Sequence, residues 1–284
     1  MKKQYILLGT SSILLLLLFF FARRTSEKPN ATVALLTNST PLPLFSIEKF
    51  IVQEKAKLAP SKLVQLTTLE NAVKNNAALG PQVKCNYALA NFWKDSVKVF
   101  EPYAFYYSTA SKLENSEKNL TFAARLYLSN LRSEQNDDVL AWKTSEAISL
   151  FNKAILLNPS DDELKIDLGS AYIYGKGRSG NPAETMEGIK TLLDVARKDT
   201  NNMRAQLMLG VGGVLSGQYD KAIDRLIKVI ATNPNSVEAV AYLADAYAGK
   251  GNKAEAIKWY NISKRLINDK HYTEEVDERI KKLK

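Results

Sequence analysis

Few side chains in this chain of 284 residues could carry catalysis or hold a metal. It has one cysteine, Cys85, and one histidine, His271, so it lacks the residues for a disulfide within the chain or for a multi-histidine or multi-cysteine metal site. Carboxylate pairs such as Asp161 and Asp162 follow Pro159, where they stabilise the start of a helix rather than act as an acid–base pair. The sequence therefore predicts no enzyme, no cofactor and no metal site.

One motif has the spacing of a nucleotide-binding loop. Residues 175–180 read G-K-G-R-S-G, which matches the dinucleotide fingerprint G-x-G-x-x-G. That fingerprint works between a strand and a helix, where the helix N-terminus meets a pyrophosphate, whereas this copy follows a helical pattern. We therefore interpret residues 175–184 as an inserted loop, in which Lys176 and Arg178 are candidate contacts for an acidic surface.

The charge distribution argues against nucleic acid as a partner. The 39 Lys and Arg residues exceed the 30 Asp and Glu residues, which gives a formal net charge of +9. Four of the basic residues flank an apolar N-terminal run, and the others alternate with acids instead of forming the basic stripe that phosphate binding needs. We expect a protein or peptide partner, with neither a nucleic acid nor a small-molecule substrate.

The N-terminus predicts a membrane anchor. Residues 5–22 are 18 uncharged residues, which as a helix rise about 27 Å, close to the thickness of about 30 Å of a bilayer's hydrocarbon core. They follow a tail at residues 1–4 and precede a Pro-, Asn- and Thr-rich stretch, residues 23–45, that reads as a flexible linker. A cleaved signal peptide is the alternative, but no small-x-small cleavage site follows the apolar run.

The anchor implies a location for the rest of the chain. Lys2 and Lys3 lie on one side of the apolar run, and Arg23, Arg24 and Lys28 lie on the other. Because the basic residues are nearly balanced, the positive-inside rule favours the N-inside orientation only weakly. We expect a single-pass protein of the bacterial inner membrane with its main domain in the periplasm.

From about residue 83 onwards the sequence repeats with a period of 34 residues. The first half of each unit contains an apolar–small pair, and an aromatic or small residue follows three positions after that pair. The second half contains a small residue, then a large residue four positions later, and then another small residue three positions after the large one. The first pattern occurs at Leu89, Ala90 and Trp93; Ala123, Ala124 and Tyr127; Leu168, Gly169 and Tyr172; Leu209, Gly210 and Gly213; and Leu243, Ala244 and Tyr247. The second occurs at Ala147, Phe151 and Ala154; Gly188, Leu192 and Val195; Ala222, Leu226 and Val229; and Ala256, Tyr260 and Ser263, with a weaker copy at Tyr103, Tyr107 and Ala110.

These patterns resemble the tetratricopeptide repeat (TPR), a helix–turn–helix unit. The resemblance implies an all-α fold, a right-handed superhelical solenoid of about five units at residues 83–270, because stacked units bury the apolar faces that single units leave uncovered. Residues 46–82 read as an N-terminal helical hairpin or cap, with helices opening at Ser46 and Pro60 and the second helix ended by Gly80 and Pro81. Residues 271–284 read as a C-terminal capping helix.

Three departures from the repeat are visible. The first unit has one residue too many before Tyr103, and two inter-helix segments exceed the family length, by about eleven residues around residues 133–138 and by about seven at residues 175–184. We expect the extra residues to project from the turns between helices.

The resemblance also implies a function. TPR proteins act as scaffolds that bind a partner segment in a concave groove lined by the first helix of each unit, so we expect a membrane-anchored scaffold in bacterial envelope processes. A self-associating structural spacer without a peptide ligand is the alternative. The inward positions implied by the family are Lys84, Tyr87, Asn91, Arg125, Ile173, Tyr174, Arg204 and Asp245.

Overall fold

The structure, a computed structural model, describes residues 45–177 and 182–284. The predicted tail at residues 1–4, the predicted anchor at residues 5–22 and all but the last residue of the predicted linker lie outside them. Within the described residues the fold is all-helical, with thirteen α-helices, two π-helices and no strand, which confirms the all-α part of the predicted fold class. No helix in these two ranges is long and apolar enough to cross a bilayer.

The helices follow one another with short connections. The α-helices are α1 (Ile47–Lys55), α2 (Pro60–Asn75), α3 (Leu79–Asn91), α4 (Phe100–Glu114), α5 (Glu117–Leu131), α6 (Asp137–Leu157), α7 (Asp162–Ala171), α8 (Pro182–Lys198), α9 (Met203–Leu215), α10 (Tyr219–Thr232), α11 (Val237–Gly249), α12 (Lys253–Ile267) and α13 (Lys270–Leu283). The π-helices, π1 (Phe92–Val97) and π2 (Tyr172–Gly177), directly extend α3 and α7.

Side-chain caps fix where many of these helices begin. A short polar side chain before the first turn accepts a hydrogen bond from a backbone N–H that has no partner inside the helix. Ser46 caps α1 in this way, as the sequence predicts. The other side-chain caps are Ser116, Asn136, Asp161, Asn202, Ser236, Asn252 and Asp269.

The helices pair into five units. Unit 1 pairs α3 with α4, unit 2 α5 with α6, unit 3 α7 with α8, unit 4 α9 with α10 and unit 5 α11 with α12, and each unit packs on the next. Gly217 and Gly251, one period apart, both adopt positive φ, 75° and 82°, in the turn between the two helices of units 4 and 5. Only glycine enters that region without strain, so the repeat places it at this turn.

Small residues let the paired helices approach closely. A Cβ added at Gly210 would lie 2.7 Å from Cγ of Leu226, and one added at Gly169 would lie 2.6 Å from Cγ of Leu192. These are the positions at which the repeat requires a small residue. The predicted register is therefore confirmed in units 3 and 4.

The extra residue of unit 1 is absorbed by π1. A π-helix closes its hydrogen bonds from i to i+5, so one turn takes one residue more than an α-helical turn. Lys98 then ends the segment in the left-handed region, with φ of 63°. This keeps Tyr103 in its second-helix position, where it is buried.

The long segment of unit 2 corrects the expectation of a projecting loop. Only residues 132–136 separate α5 from α6, and α6 is 21 residues long, so most of the extra chain is helical. Its first turns carry Lys143, which is 1% exposed and whose Nζ lies 2.8 Å from Glu101 Oε1 and 2.7 Å from Glu134 Oε2. The ammonium group of Lys143 therefore links the insertion to α4 and to the turn before α6, and the insertion packs inside the fold.

The described part of the insertion in unit 3 is also helical, where the sequence predicts a projecting loop. Residues 172–177 form π2, and Gly175 packs against Thr144 in the first turns of α6. Residues 178–181, which hold the rest of the glycine-rich motif before α8, lie outside the described residues. Gly177 packs beside Leu215. The described glycines of the motif therefore make packing contacts between helices.

The N-terminal hairpin differs from its predicted boundary. Gly80 and Pro81, expected to end the second helix, lie in the first turn of α3, and α2 ends at Asn75. Proline is tolerated there because the first N–H groups of a helix have no partner inside it. The boundary predicted at residue 82 thus falls inside a helix.

At the start of the domain, the ring of Phe45 packs on Trp142, with centroids 5.1 Å apart.

Candidate functional site

The first helices of the five units present a shared surface, which we call the A face. It consists of the outward side chains of α3, α5, α7, α9 and α11. Of the predicted site residues, Lys84, Asn91, Arg125 and Arg204 are exposed there. The two arginine side chains are 51% and 44% exposed.

Three successive units are joined on the A face by one carboxylate. Asp167 of α7 is fully buried, and its Oδ2 accepts a hydrogen bond from Arg125 Nε of α5 at 2.6 Å. Its Oδ1 accepts one from Arg204 of α9, whose other terminal nitrogen bonds Glu163. The structure therefore brings two predicted site residues together through an acid that the sequence analysis did not select.

Asp245 lies at the C-terminal end of the same face. Its Oδ1 accepts hydrogen bonds from Tyr260 at 2.5 Å and from Arg279 of the capping helix α13 at 2.9 Å. Burial first and then Asp245 raise the pKa of Tyr260, so its hydroxyl stays protonated and donates. This carboxylate holds α13 against unit 5.

Two predicted site residues are wrong as open groove positions. Ile173 is fully buried, because its side chain fills the space beside Gly212, whose added Cβ would lie 2.9 Å from Ile173 Cδ1. Tyr174 is only 7% exposed. Both lie in π2, where the wider helical turn rotates the side chains away from the positions that an α-helix would give them.

Tyr174 instead forms a bridge between units. Its hydroxyl donates to Glu238 Oε1 at the start of α11 and also contacts Met208 Sδ at 3.4 Å. Arg132, just after α5, lies over the Tyr174 ring at 5.2 Å and pairs with Glu238 Oε1 at 3.2 Å. Side chains of units 2, 3, 4 and 5 therefore meet here, and this part of the A face is occupied by the protein's own residues.

At its N-terminal end the A face borders a surface depression. A depression of about 330 Å³ lies between α4 and α5. Its lining residues are Tyr107, Glu117, Lys118, Asn119, Thr121, Phe122 and Arg125.

An aromatic row leads into this depression. The ring of Tyr107 lies 5.0 Å from that of Tyr87 and 4.9 Å from that of Phe122, which is 46% exposed. Burial raises the pKa of Tyr87 to about 12, so its hydroxyl is protonated and donates to Glu114 Oε2 at 2.9 Å. The predicted residue Tyr87 is thus half-buried and supports the row.

The sequence analysis missed one position of the repeat. Phe122 and Asp167 each directly precede the apolar–small pair of their helix, Ala123–Ala124 and Leu168–Gly169. The pair is buried in both units, so the residue before it reaches the edge of the A face. An aromatic or charged residue at this position was the signal that could have identified both.

The reactive side chains are dispersed. Cys85 is half-buried in α3, and His271 is exposed in the first turn of α13. Among the described residues, no three His, Cys, Asp or Glu side chains are grouped as a metal site.

Comparison with known proteins supports the repeat. Residues 214–265 match the tetratricopeptide repeat. A TPR protein of Thermus thermophilus is 16% identical, with a TM-score of 0.50, and the match covers 71% of this chain and 98% of that one. A tetratricopeptide repeat protein from Parabacteroides merdae is 15% identical, with a TM-score of 0.50 and coverage of 84% and 93%. At these identities the likeness shows the fold, an all-helical TPR-like solenoid.

A curated relative covers a smaller part of the chain. Cellulose synthase operon protein C of Escherichia coli K12 is 33% identical over 102 residues, which are 36% of this chain and 8% of that protein. The matched region is thus less than a tenth of the relative's length.

Proposed function

We propose that this chain, a protein built from tetratricopeptide repeats, is a membrane-anchored scaffold that binds a segment of a partner protein on its A face. TPR domains bind protein or peptide partners, and the A face carries cationic and aromatic side chains that the core does not use. The observation that carries the proposal is the depression lined by Phe122, Lys118 and Arg125, because aromatic and arginine side chains that meet in a depression are typical anchors of protein interfaces.

Part of the A face is already filled by the protein's own side chains, so we expect the partner to bind at its N-terminal end. The bridge of Arg132, Tyr174 and Glu238 fills the surface shared by units 2 to 5. The aromatic row from Tyr87 to Phe122 has no such bridge over it in the described residues. The partner segment therefore contacts α3, α4 and α5.

Affinity capture of the full-length protein from its own membranes tests the proposal. The double variant Lys118→Glu, Phe122→Glu changes the A face, and the matched control Lys153→Glu, Leu156→Glu makes the same changes at exposed positions of α6, the second helix of unit 2. We expect the A-face variant to lose the partner, identified by mass, and the control to keep it. Equal capture by both variants would contradict the proposal.

The uncharged residues 5–22 support the anchor, and the basic residues that flank them support the N-inside orientation that would place the main domain in the periplasm. Deleting residues 1–24 should release the protein from membranes, whereas the full chain should stay bound at high salt, because a spanning helix does not depend on screened charge. Release by salt alone contradicts the anchor. A C-terminal reporter that is active only outside the cytoplasm tests the N-inside orientation.

A further inference from the structure

The depression between α4 and α5 holds cationic side chains with hydrogen-bond donors that the described residues do not use. Lys118 is exposed and has no hydrogen-bond or ion-pair partner among residues 45–177 and 182–284. Arg125 uses only its Nε, which donates to Asp167, so its two terminal nitrogens also have no partner in the described part of the chain. Lys118 and Arg125 are seven residues apart on α5, so they lie on the same face of the helix.

The nearby acids accept hydrogen bonds from neutral donors instead of from these cations. Glu117 Oε1 accepts a hydrogen bond from Thr121 Oγ1 at 2.8 Å. Glu114 Oε2 accepts one from Asn119 Nδ2 at 2.6 Å and another from Tyr87. Neither acid forms an ion pair with Lys118 or Arg125 in the described structure, so the ammonium group of Lys118 and the terminal nitrogens of Arg125 can donate to a carboxylate from outside.

The residue that contributes apolar surface between Lys118 and Arg125 is Phe122. Phe122 is one turn after Lys118 and three residues before Arg125, and its half-exposed ring lies against Tyr107. Aromatic rings with an exposed face bind apolar side chains, and arginine and aromatic residues are the side chains most often dominant in protein interfaces.

We infer that this depression binds an internal segment of the partner in which an Asp or Glu is adjacent to an aromatic or large aliphatic residue. The partner's carboxylate bonds Lys118 and the terminal nitrogens of Arg125, and its apolar side chain packs on Phe122. Charge-assisted hydrogen bonds to a carboxylate are the strongest that these donors can form. The inference rests on the proposed function and specifies the chemistry of its partner.

Fluorescence anisotropy on the full chain in detergent micelles tests this inference. The probes are short peptides with amidated C-termini, each with one Phe or Leu and Asp or Glu at varied spacings, and a matched set carries Asn and Gln instead. We expect the acidic set to bind, and binding to weaken as NaCl is raised. Lys118→Ala and Phe122→Ala should each weaken binding at least about tenfold, while Lys153→Ala and Leu156→Ala leave it unchanged.

Three results would overturn the inference. The acidic set does not bind, or the Asn and Gln set binds as tightly, or Lys118→Ala and Phe122→Ala bind the acidic set as tightly as the wild type. Unfolding curves of each variant show whether a loss of binding is a loss of folding. None of these results affects the capture experiment on the A face, so failure of the inference is distinguishable from failure of the proposed function.

Discussion

Gly175 packs so closely on Thr144 that a Cβ added to the glycine would lie 2.7 Å from the Cβ of Thr144. The two residues belong to the two insertions of the repeat array, Gly175 to π2 and Thr144 to the early turns of α6. Thr144 is fully buried, so its side chain has no space into which it can move. The insertions therefore stabilise each other.

Replacing Gly175 by Ala should lower the free energy of unfolding by about 1–3 kcal/mol, because the added methyl group overpacks the contact with Thr144. Urea unfolding of both proteins measures the change. Gly80→Ala is the control, since a Cβ there meets no atom within 4 Å, and we expect little change in its stability. A Gly175→Ala protein as stable as wild type would contradict the contact.

Removing the ammonium group of Lys143 should be costly. Its side chain is 1% exposed, and its partners Glu101 and Glu134 are 18% and 15% exposed, so Lys143→Ala leaves two largely buried carboxylates without their cation. We expect a loss of about 3 kcal/mol in urea unfolding, because breaking a buried ion pair leaves an uncompensated charge. Lys153→Ala, at an exposed lysine of the same helix, should change stability little. Similar values for the two variants would contradict a structural role for Lys143.

Glu134 should give the fold a dependence on acidic pH. Burial acts to raise the pKa of this carboxyl, but hydrogen bonds from Lys143 and from the backbone N–H groups of Asn136 and Gln135 outweigh burial and hold the pKa below its ordinary value. Because the folded pKa is the lower one, the stabilisation is present above the unfolded pKa and is lost as the pH falls through the folded pKa.

The wild type should therefore exceed Glu134→Gln in stability at about pH 7, and the difference should shrink below about pH 4. Urea unfolding of both proteins at a series of pH values measures it. A difference that is constant over the whole range would assign the effect of Glu134 to packing instead of charge.

The register of unit 4 predicts that a larger side chain at Ala222 lowers the free energy of unfolding. Ala222 is fully buried against Gly213, so Ala222→Leu forces α9 and α10 apart and should lower the free energy of unfolding by about 1–3 kcal/mol. Ala231→Leu places the same side chain at an exposed position of α10 and should be nearly neutral. If the two variants unfold at the same urea concentration, the register is wrong.

The repeat was predictable because its packing depends on single residue types at fixed spacing. Ala222 lies where two helices touch, and Gly217 and Gly251 lie where φ is positive, so each position excludes most other residues. Such constraints leave a periodic record in the sequence. The all-helical fold and the pairing of helices follow from that record.

The insertions were not predictable in the same way, because no period describes them. An extra residue can form a loop or widen a helical turn, and only the surrounding packing decides which conformation is stable. At Ile173 the wider turn of π2 places the side chain beside Gly212, whose position depends on the next unit. The prediction that Ile173 and Tyr174 face an open groove failed for this reason.

The A face was partly predictable. Arg125 and Arg204 lie on it as the repeat implies, but Asp167, which joins them, and Phe122 occupy a position directly before the buried pair. The contact between Arg125 and Asp167 joins residues 42 positions apart, which is longer than one repeat. Spacing within a unit cannot reveal such a pair.

Site-specific photo-crosslinking tests most directly whether the A face binds the partner. A benzophenone amino acid is placed at Phe122 or, as control, at Leu156, which is 80% exposed on α6, and the full-length protein is irradiated in its own membranes. We expect a discrete adduct from position 122 that Lys118→Glu removes, and no adduct of the same mass from position 156. Adducts from position 156 with none from position 122 would contradict the account.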